Sequence, residues 1–449
     1  MGHRTANVVS VVALGGVIAL VSLAGHHARA VTTAGAPHDE LAPDPVLVHY
    51  RYAVTPPRVS ALDDLSETIT ALEARVSQPV ASPMEMADLA DLYLRRAQLA
   101  ADPDDYKKSE AIANRSLSIL RAPSSAPLTL AKLASAHHEF RTAISLATEY
   151  LTHKRSAGAL GVLASSYLAL GELEQASQAA EWAVGVKPDS AGYLMRALVF
   201  QAQGRDAEAA FDFGRAASVE AAGDLDEAAR TRTLWARFLV RRGDVEGAVP
   251  LLAEALRILP GYPLAVAQQG ELALRTGHGK EAKALFERAF VDAHQVRYLI
   301  DEARAQELSG DLAGATSTRT LVERLVRDEL RDNGLGHRLE LVEILVDRGA
   351  AADLSEATAL ARQEVAARPS ADTRFQLARA LAAGGNRREA LDALRGALAT
   401  GARDARIDEL ASRLERAEGN QARADLYARE AARLDPGSAG WRVLGLRVP

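Results

Sequence analysis

The sequence predicts an all-α fold in which helical hairpins stack into a solenoid. Three observations indicate this class. The chain is 48% hydrophobic and 25% charged but only 5% aromatic, so its core depends on Ala, Leu and Val. Apolar residues recur at helical spacing along most of the chain. A unit of about 34 residues, marked by Gly and Ala at fixed positions, also repeats, and a period of this length is typical of stacked helical hairpins.

The composition also excludes several classes of function. The 449 residues include 53 Lys and Arg against 59 Asp and Glu, a formal net charge of −6. That balance argues against a nucleic-acid partner, because binding to phosphates requires a basic face. The chain has no cysteine. Disulfides, thiolate zinc sites, iron–sulfur clusters and cysteine nucleophiles are therefore excluded.

The first element is an N-terminal segment with the features of an export signal. Arg4 precedes an apolar run over residues 8–24, and the sequence Ala28-Arg29-Ala30 follows. An A-x-A pattern is the small-residue site that signal peptidase cleaves, so we expect residues 1–30 to be removed after Ala30. The alternative is a retained anchor. At ~1.5 Å per residue the apolar run reaches about 25 Å, less than the ~30 Å hydrocarbon core of a bilayer. The sequence thus predicts an exported protein, periplasmic or extracellular, with anchoring through residues 8–24 as the alternative.

The next two elements lead into the repeats. Residues 31–59 are rich in proline, which fixes φ and lacks a backbone donor, so we expect an extended segment. Within it, residues 46–54 could form a short strand-like stretch, and we expect the segment to lie along the first helices. Residues 60–82 are predicted to hold an amphipathic lead-in helix and a linker, since Leu62, Leu65 and Ile69 share one helical face.

The repeats follow from residue 83. In the unit that starts at residue 157, Gly171 precedes Ala176 by five residues, and Ala183 and Pro188 follow. The same step from Gly to Ala occurs in seven units, and in an eighth unit the step is eight residues. Glycine ends the first helix, and the small alanine lets the second helix pack closely. The ten units start near residues 83, 124, 157, 190, 229, 263, 296, 335, 371 and 405.

This pattern resembles the tetratricopeptide repeat family. The match is close from Leu160 through Leu163, Ala164 and Tyr167 to Gly171. The resemblance spans residues 83–438 and implies a right-handed α-solenoid of about ten hairpins. Residues 439–449 are then a C-terminal tail that could cap the last unit.

The resemblance further implies a concave groove, lined by the first helix of each unit, that binds a protein or peptide. On those helices a basic stretch is followed by an acidic one, which suggests a ligand of complementary charge order. The candidate groove residues are Arg230, Arg237, Arg241, Glu271, Arg275, Arg297, Asp301, Arg304, Glu340, Glu343 and Asp347.

Residue patterns that carry catalysis are missing from the sequence. It contains no phosphate-binding loop, no G-x-S-x-G elbow and no H-E-x-x-H helix. The densest metal-like group is His137, His138 and Glu139, with His153 further on. We interpret these as residues of a turn between helices rather than as a zinc site. We therefore expect no catalytic residues, no metal and no cofactor.

The favoured function is that of an exported, non-catalytic scaffold for protein–protein interaction. One alternative is a membrane-anchored assembly or secretion helper, which retention of residues 8–24 would support. A second is a carrier of a small molecule or polysaccharide, which would need exposed aromatic side chains in the groove. A third, a hydrolase or transferase, would need a clustered catalytic set.

Overall fold

The computed structural model describes residues 43–54, 61–100, 102–121, 124–331 and 337–437. These residues form helices and connecting turns, with no strand among them. The predicted signal peptide and the tail at 439–449 lie outside the described residues. The helices are α1 (Pro45–Val48), α2 (Ala61–Val76), α3 (Pro83–Ala100), α4 (Pro103–Ile119), α5 (Ala126–Ala136), α6 (Phe140–His153), α7 (Ala157–Leu170), α8 (Leu173–Val186), α9 (Ser190–Ala202), α10 (Asp206–Ser218), α11 (Leu225–Arg241), α12 (Val245–Ile258), α13 (Pro263–Arg275), α14 (Gly279–Ala293), α15 (Val296–Leu308), α16 (Leu312–Arg331), α17 (Arg338–Arg348), α18 (Ala351–Ala367), α19 (Ala371–Ala383), α20 (Arg387–Ala399), α21 (Ala405–Ala417) and α22 (Gln421–Leu434).

Helices α3 to α22 pair in chain order as ten antiparallel hairpins, numbered here 1 to 10. Each hairpin packs on the next, which confirms the predicted all-α solenoid of tetratricopeptide type. The alanine after each turn glycine is buried, since the second helix crosses the first closely there. The fully or almost fully buried alanines at this position are Ala176, Ala209, Ala248, Ala282, Ala315, Ala357, Ala390 and Ala424.

The lead-in helix α2 covers the free side of hairpin 1. Ile69 and Val76 are buried and pack against Met86 and Leu89 of α3. The first hairpin of a solenoid has no preceding neighbour to bury its apolar face, so an added helix takes that place.

The late hairpins fold back onto the early ones. Gly171, in the turn of hairpin 3, lies against Ser370, in the linker after hairpin 8. Arg403, in the linker after hairpin 9, donates its backbone N–H to Ala202 O of hairpin 4 at 2.9 Å. Pro436, after hairpin 10, lies against Gly243 in the turn of hairpin 5. In hairpins 3, 4 and 5, the turn therefore contacts the linker that follows the hairpin five positions further along the chain. These three contacts close the superhelix on itself.

The proline-rich segment differs from the prediction in two respects. Pro45–Val48 form one helical turn, not a strand, because the Asp44 side chain accepts the Val46 N–H and Pro45 suits the first helical position. The segment also packs on α10, α11 and α12 of hairpins 4 and 5, not along the first helices. Contacts so distant in sequence leave no periodic signal.

No helix in the described ranges is both long enough and apolar enough to cross a bilayer. The apolar run at residues 8–24, on which the anchored alternative depends, lies outside those ranges.

Candidate functional site

The inner face of the superhelix carries a ladder of charged residues at one repeated position. The eighth residue after the start of each later unit is charged, and its sign alternates from hairpin 5 to hairpin 9. These residues are Arg237, Glu271, Arg304, Glu343 and Arg379. Equivalent positions on neighbouring first helices lie side by side in a solenoid, so opposite charges face one another across the hairpins.

In hairpins 7 to 9 the charges of this ladder are paired within the chain. Arg304 bonds to Asp301 at 2.8 Å and to Glu343 of the next hairpin. Arg379 bonds to Asp347 at 2.8 Å. All of these side chains except Asp301 are at least nine-tenths buried. Burial lowers the pKa of Arg304 and of Arg379, although the adjacent carboxylates oppose that shift.

Arg297 extends the same network toward the open part of the groove. Its guanidinium lies 2.9 Å from Glu343 and 3.5 Å from Glu340, and 38% of its side chain is exposed. Burial lowers the pKa of Arg297, but Asp301 and Glu340 outweigh it and raise the pKa above its ordinary value. The predicted acidic stretch is therefore neutralised by arginines of this chain.

Hairpins 5 and 6 differ because arginines exceed carboxylates on their inner face. No carboxylate in the described part of the chain forms an ion pair with Arg237 or Arg241, and Arg237 Nε is buried without a hydrogen-bond partner there. Burial, with the like charges of Arg241, Arg230 and the distant Arg406, lowers the pKa of Arg237 to about 10, although Glu271 acts to raise it. Burial acts to raise the pKa of Glu271, but Arg241, Arg275 and Arg237 together hold it below its ordinary value.

Two of the predicted groove residues have partners that limit their role. Arg275 lies 3.4 Å from Glu271 and donates to Asp435 at 2.8 Å, so it joins hairpin 6 to the end of hairpin 10. Arg230 lies 4.0 Å from Glu227 and is half exposed. In the predicted basic stretch, Arg237 and Arg241 are thus the arginines whose charge is least paired within the described chain and most available to a ligand.

The structure adds residues of hairpins 9 and 10 that the sequence pattern did not predict. Arg406 bonds to Asp404 and, at 2.8 Å, to Asp372. Burial acts to raise the pKa of Asp404, but Arg406 and Arg241 lower it to about 2. Arg406 is coupled electrostatically to Arg237 because closure of the superhelix brings hairpin 10 opposite hairpin 5. Arg379 could have been found from its position eight residues into its unit.

The histidine cluster has a structural role. His138 Nδ1 lies 3.2 Å from Arg368 Nη1, and its ring packs against Phe140. Burial lowers the pKa of His138, and the charge of Arg368 lowers it further. Within the described ranges, no three histidine or carboxylate side chains are grouped to hold a metal ion.

Among the described residues, two exposed aromatic side chains lie on second helices, and a third, Tyr52, lies in the segment before α2. Trp182 of α8 is 53% exposed and Phe211 of α10 is 66% exposed. An open pocket of about 360 Å³ beside Phe211 is lined by Arg196, Phe200 and Asp212. The Arg196 guanidinium is already bonded to Asp212 at 2.6 Å. Trp182 and Phe211 thus lie on second helices, whereas the residues of the charged ladder lie on first helices.

No protein-family model matches the chain, and no curated protein matches it. Among solved structures, the human IFIT1 dimer with PPP-AAAA is similar at 15% sequence identity and a TM-score of 0.45, covering 86% of this chain and 96% of its own. The human IFIT1 dimer with m7Gppp-AAAA has the same identity of 15% and coverage of 86% and 96%, with a TM-score of 0.47. A tetratricopeptide repeat protein from Parabacteroides merdae ATCC 43184 is 15% identical with a TM-score of 0.36, covering 52% of this chain and 92% of its own. At such scores nothing about ligand or activity passes from those proteins to this chain.

Proposed function

We propose that this chain is an exported, non-catalytic scaffold that binds a protein partner on the inner face of hairpins 5 and 6. The observation that carries the proposal is the pair Arg237 and Arg241, which form no ion pair with the described carboxylates. A cation left without a partner inside a protein is costly, and a carboxylate supplied by a ligand offsets that cost. The partner segment is therefore acidic.

The paired network of hairpins 7 to 9 supports this choice of position. Glu343 and Asp347 are already bonded to arginines of neighbouring hairpins, so a basic ligand would have to displace buried ion pairs. Complementary charge at hairpins 5 and 6 would mainly set specificity and association rate, with shape and apolar contacts supplying the rest of the affinity.

Charge reversal tests this position. The tagged variant Arg237→Glu/Arg241→Glu should capture at least about 10-fold less partner from its own cells than the wild type, because two attractive contacts become repulsive. Arg288→Glu/Arg324→Glu is the matched control, since both side chains are exposed on second helices and the change in net charge is the same. Equal capture by the two double variants, with unchanged far-UV circular dichroism, would contradict the proposal.

Export is a second part of the proposal, supported by the A-x-A pattern at Ala28 and Ala30. Intact-mass analysis of the protein from its own cells should find Val31 at the mature N-terminus. A chain that keeps residues 8–24 and sediments with membranes would favour the anchored assembly helper instead.

The same capture experiment also tests the alternative ligands, a nucleic acid and a small molecule or polysaccharide. A nucleic acid is disfavoured by the net charge of −6, and its binding would fall steeply with added salt. A carrier of a small molecule or polysaccharide would yield a non-protein ligand, and the exposed Trp182 and Phe211 that could stack on one lie on second helices. Recovery of either, with no protein partner, would overturn the scaffold assignment.

A further inference from the structure

Residues 43–54 occupy a second site, on the side of the solenoid opposite the charged ladder. We call it the outer cleft and define it by α10, the linker at 219–224, α11 and α12. Arg232, at its base, lies about 200° around α11 from the inner-face Arg230, at ~100° per residue. The segment enters this cleft as a short helical turn followed by extended backbone.

Three buried charged side chains line the cleft, and two of them, Arg232 and Glu254, bind the backbone of the segment. Arg232, with no exposed surface, donates to Val48 O at 2.6 Å and holds Glu220 through two bonds of 2.7 and 3.1 Å. Glu254, 3% exposed, accepts the Tyr50 N–H at 2.7 Å. A buried guanidinium and a buried carboxylate thus recognise one carbonyl and one amide of an otherwise separate segment.

Two side chains of the segment fill apolar positions. Val48 packs with Trp235 and the other core residues of hairpins 4 and 5. Tyr50 packs against Ile258 and the alanines of α11 and α12, and its hydroxyl donates to Ala221 O at 3.0 Å while accepting the N–H of Gly223 at 2.9 Å. Leu47 and Val54 of the segment also pack, partly buried, against these two clusters.

The segment has the features of a ligand rather than of a core element. Val46 is 79% exposed and the His49 side chain is 76% exposed, so the segment is buried mainly through Val48 and Tyr50. The ion pair of Arg232 with Glu220 is formed within the cleft and does not need the segment. Recognition of an extended peptide by backbone bonds and alternating side-chain pockets is a general mode of peptide binding.

We propose that the outer cleft is a peptide-binding site and that residues 43–54 are its ligand in cis. The ligand class is a short segment in which a helical turn ends at an aliphatic residue and a tyrosine follows two positions later in extended backbone. Tethering gives the cis ligand an effective concentration of roughly millimolar, so the site is filled in the intact chain. This inference is independent of the partner proposed for the inner face.

The test uses the full chain with its own ligand disabled by Val48→Asp and Tyr50→Ala, and a fluorescent peptide of residues 43–54. The peptide should bind this variant saturably but should not bind the wild-type chain, whose cleft is occupied. Altering the peptide cannot unfold the protein, so peptide variants give the sharpest comparison. Tyr50→Phe should bind about 3–10-fold more weakly through loss of the bridging hydroxyl. Val48→Ala should bind about 10-fold more weakly, and Val46→Ala, which changes a side chain that is 79% exposed, should bind equally well.

Three results would overturn the proposal. The first is that the peptide does not bind the variant saturably, although the far-UV circular dichroism of the variant matches that of the wild type. The second is that the Tyr50→Ala peptide binds the variant as tightly as the unaltered peptide does. The third is that the peptide binds the wild-type chain as tightly as it binds the variant. Hydrogen exchange on the wild-type chain covers the case in which the variant does not fold. The Tyr50 amide should exchange through local opening, at least about 100-fold faster than the core amides of α11. If the Tyr50 amide and the core amides of α11 exchange at one common rate, through global unfolding, the segment is an integral part of the fold.

Discussion

The turn glycines of hairpins 3 to 5 and those of hairpins 6, 7, 9 and 10 have the same backbone conformation but opposite surroundings. Gly171 and Gly204 have φ of 77° and 71°, and Gly277 and Gly310 have φ of 83° and 85°. A Cβ on Gly171 would lie 2.8 Å from Ser370 Cα, whereas one on Gly277 would meet nothing within 4 Å. The early turns are covered by late hairpins, and the late turns are open.

The difference teaches that one local motif serves two purposes in this chain. At the turns of hairpins 3 to 10, glycine permits the left-handed residue that ends the first helix. At the early turns it also leaves room for a linker from five hairpins later. The first purpose is readable from the spacing of Gly and Ala, while the second depends on how many hairpins complete one superhelical turn.

The largest effect should come from adding a methyl group at a covered turn. Gly171→Ala should lower the free energy of unfolding by about 2–5 kcal/mol, combining ~1–2 kcal/mol for a left-handed alanine with ~1–3 kcal/mol for overpacking against Ser370. Gly277→Ala should lower it by only the first of these, about 1–2 kcal/mol. Urea denaturation of both variants measures the difference. Equal losses would show that the early turns are not covered.

A smaller effect of opposite sign should come from Asp408, in the hairpin that covers the turn of hairpin 5. Its side chain is 2% exposed, and its Oδ2 has no hydrogen-bond partner among the described residues. Burial, together with the like charges of Glu430 and Asp404, raises the pKa of Asp408 to about 7. An unfolded aspartate titrates near 4, so the folded chain holds an extra proton between about pH 4 and 7.

The free energy of unfolding should therefore fall as the pH rises from about 4 to 7. Above pH 7, Asp408 should cause no further fall. Asp408→Asn removes the ionisation and should raise the free energy of unfolding at pH 8 by about 2–4 kcal/mol, at ~1.4 kcal/mol per pKa unit. At pH 4 the variant and the wild type should be nearly equal. Thermal melts at both pH values measure this, and a benefit that is the same at pH 4 and pH 8 would contradict it.

The smallest effect should come from the bond that fastens hairpin 10 to hairpin 6. Asp435, 1% exposed, accepts from Arg275 at 2.8 Å, and Asp435→Asn should cost about 1.5–3 kcal/mol. The matched pair in the open part is Arg362 with Glu389 at 2.7 Å, both more than half exposed. Glu389→Gln should cost less than about 0.5 kcal/mol. Similar losses in denaturation midpoint would contradict the closure of the superhelix at this point.

The sequence was sufficient to predict the individual hairpins but not the contacts between hairpins that are distant along the chain. Gly171 and Ala176 predict their hairpin because both act within one unit. Arg304 was interpreted as a free groove residue but is bonded to Glu343, because the charge pattern of one helix does not show how the next helix aligns. Val48 could not be assigned to Arg232, since 184 residues separate them.

The inner-face proposal is tested most directly by site-specific photo-crosslinking in the protein's own cells. A benzophenone side chain at position 241 replaces an inner-face arginine of hairpin 5, and one at position 288 replaces an exposed arginine of the second helix α14. We expect one protein partner to crosslink at position 241 through an acidic segment, and no crosslink to that partner at position 288. A partner that crosslinks at 288 and not at 241, from protein with wild-type circular dichroism, would contradict the proposal.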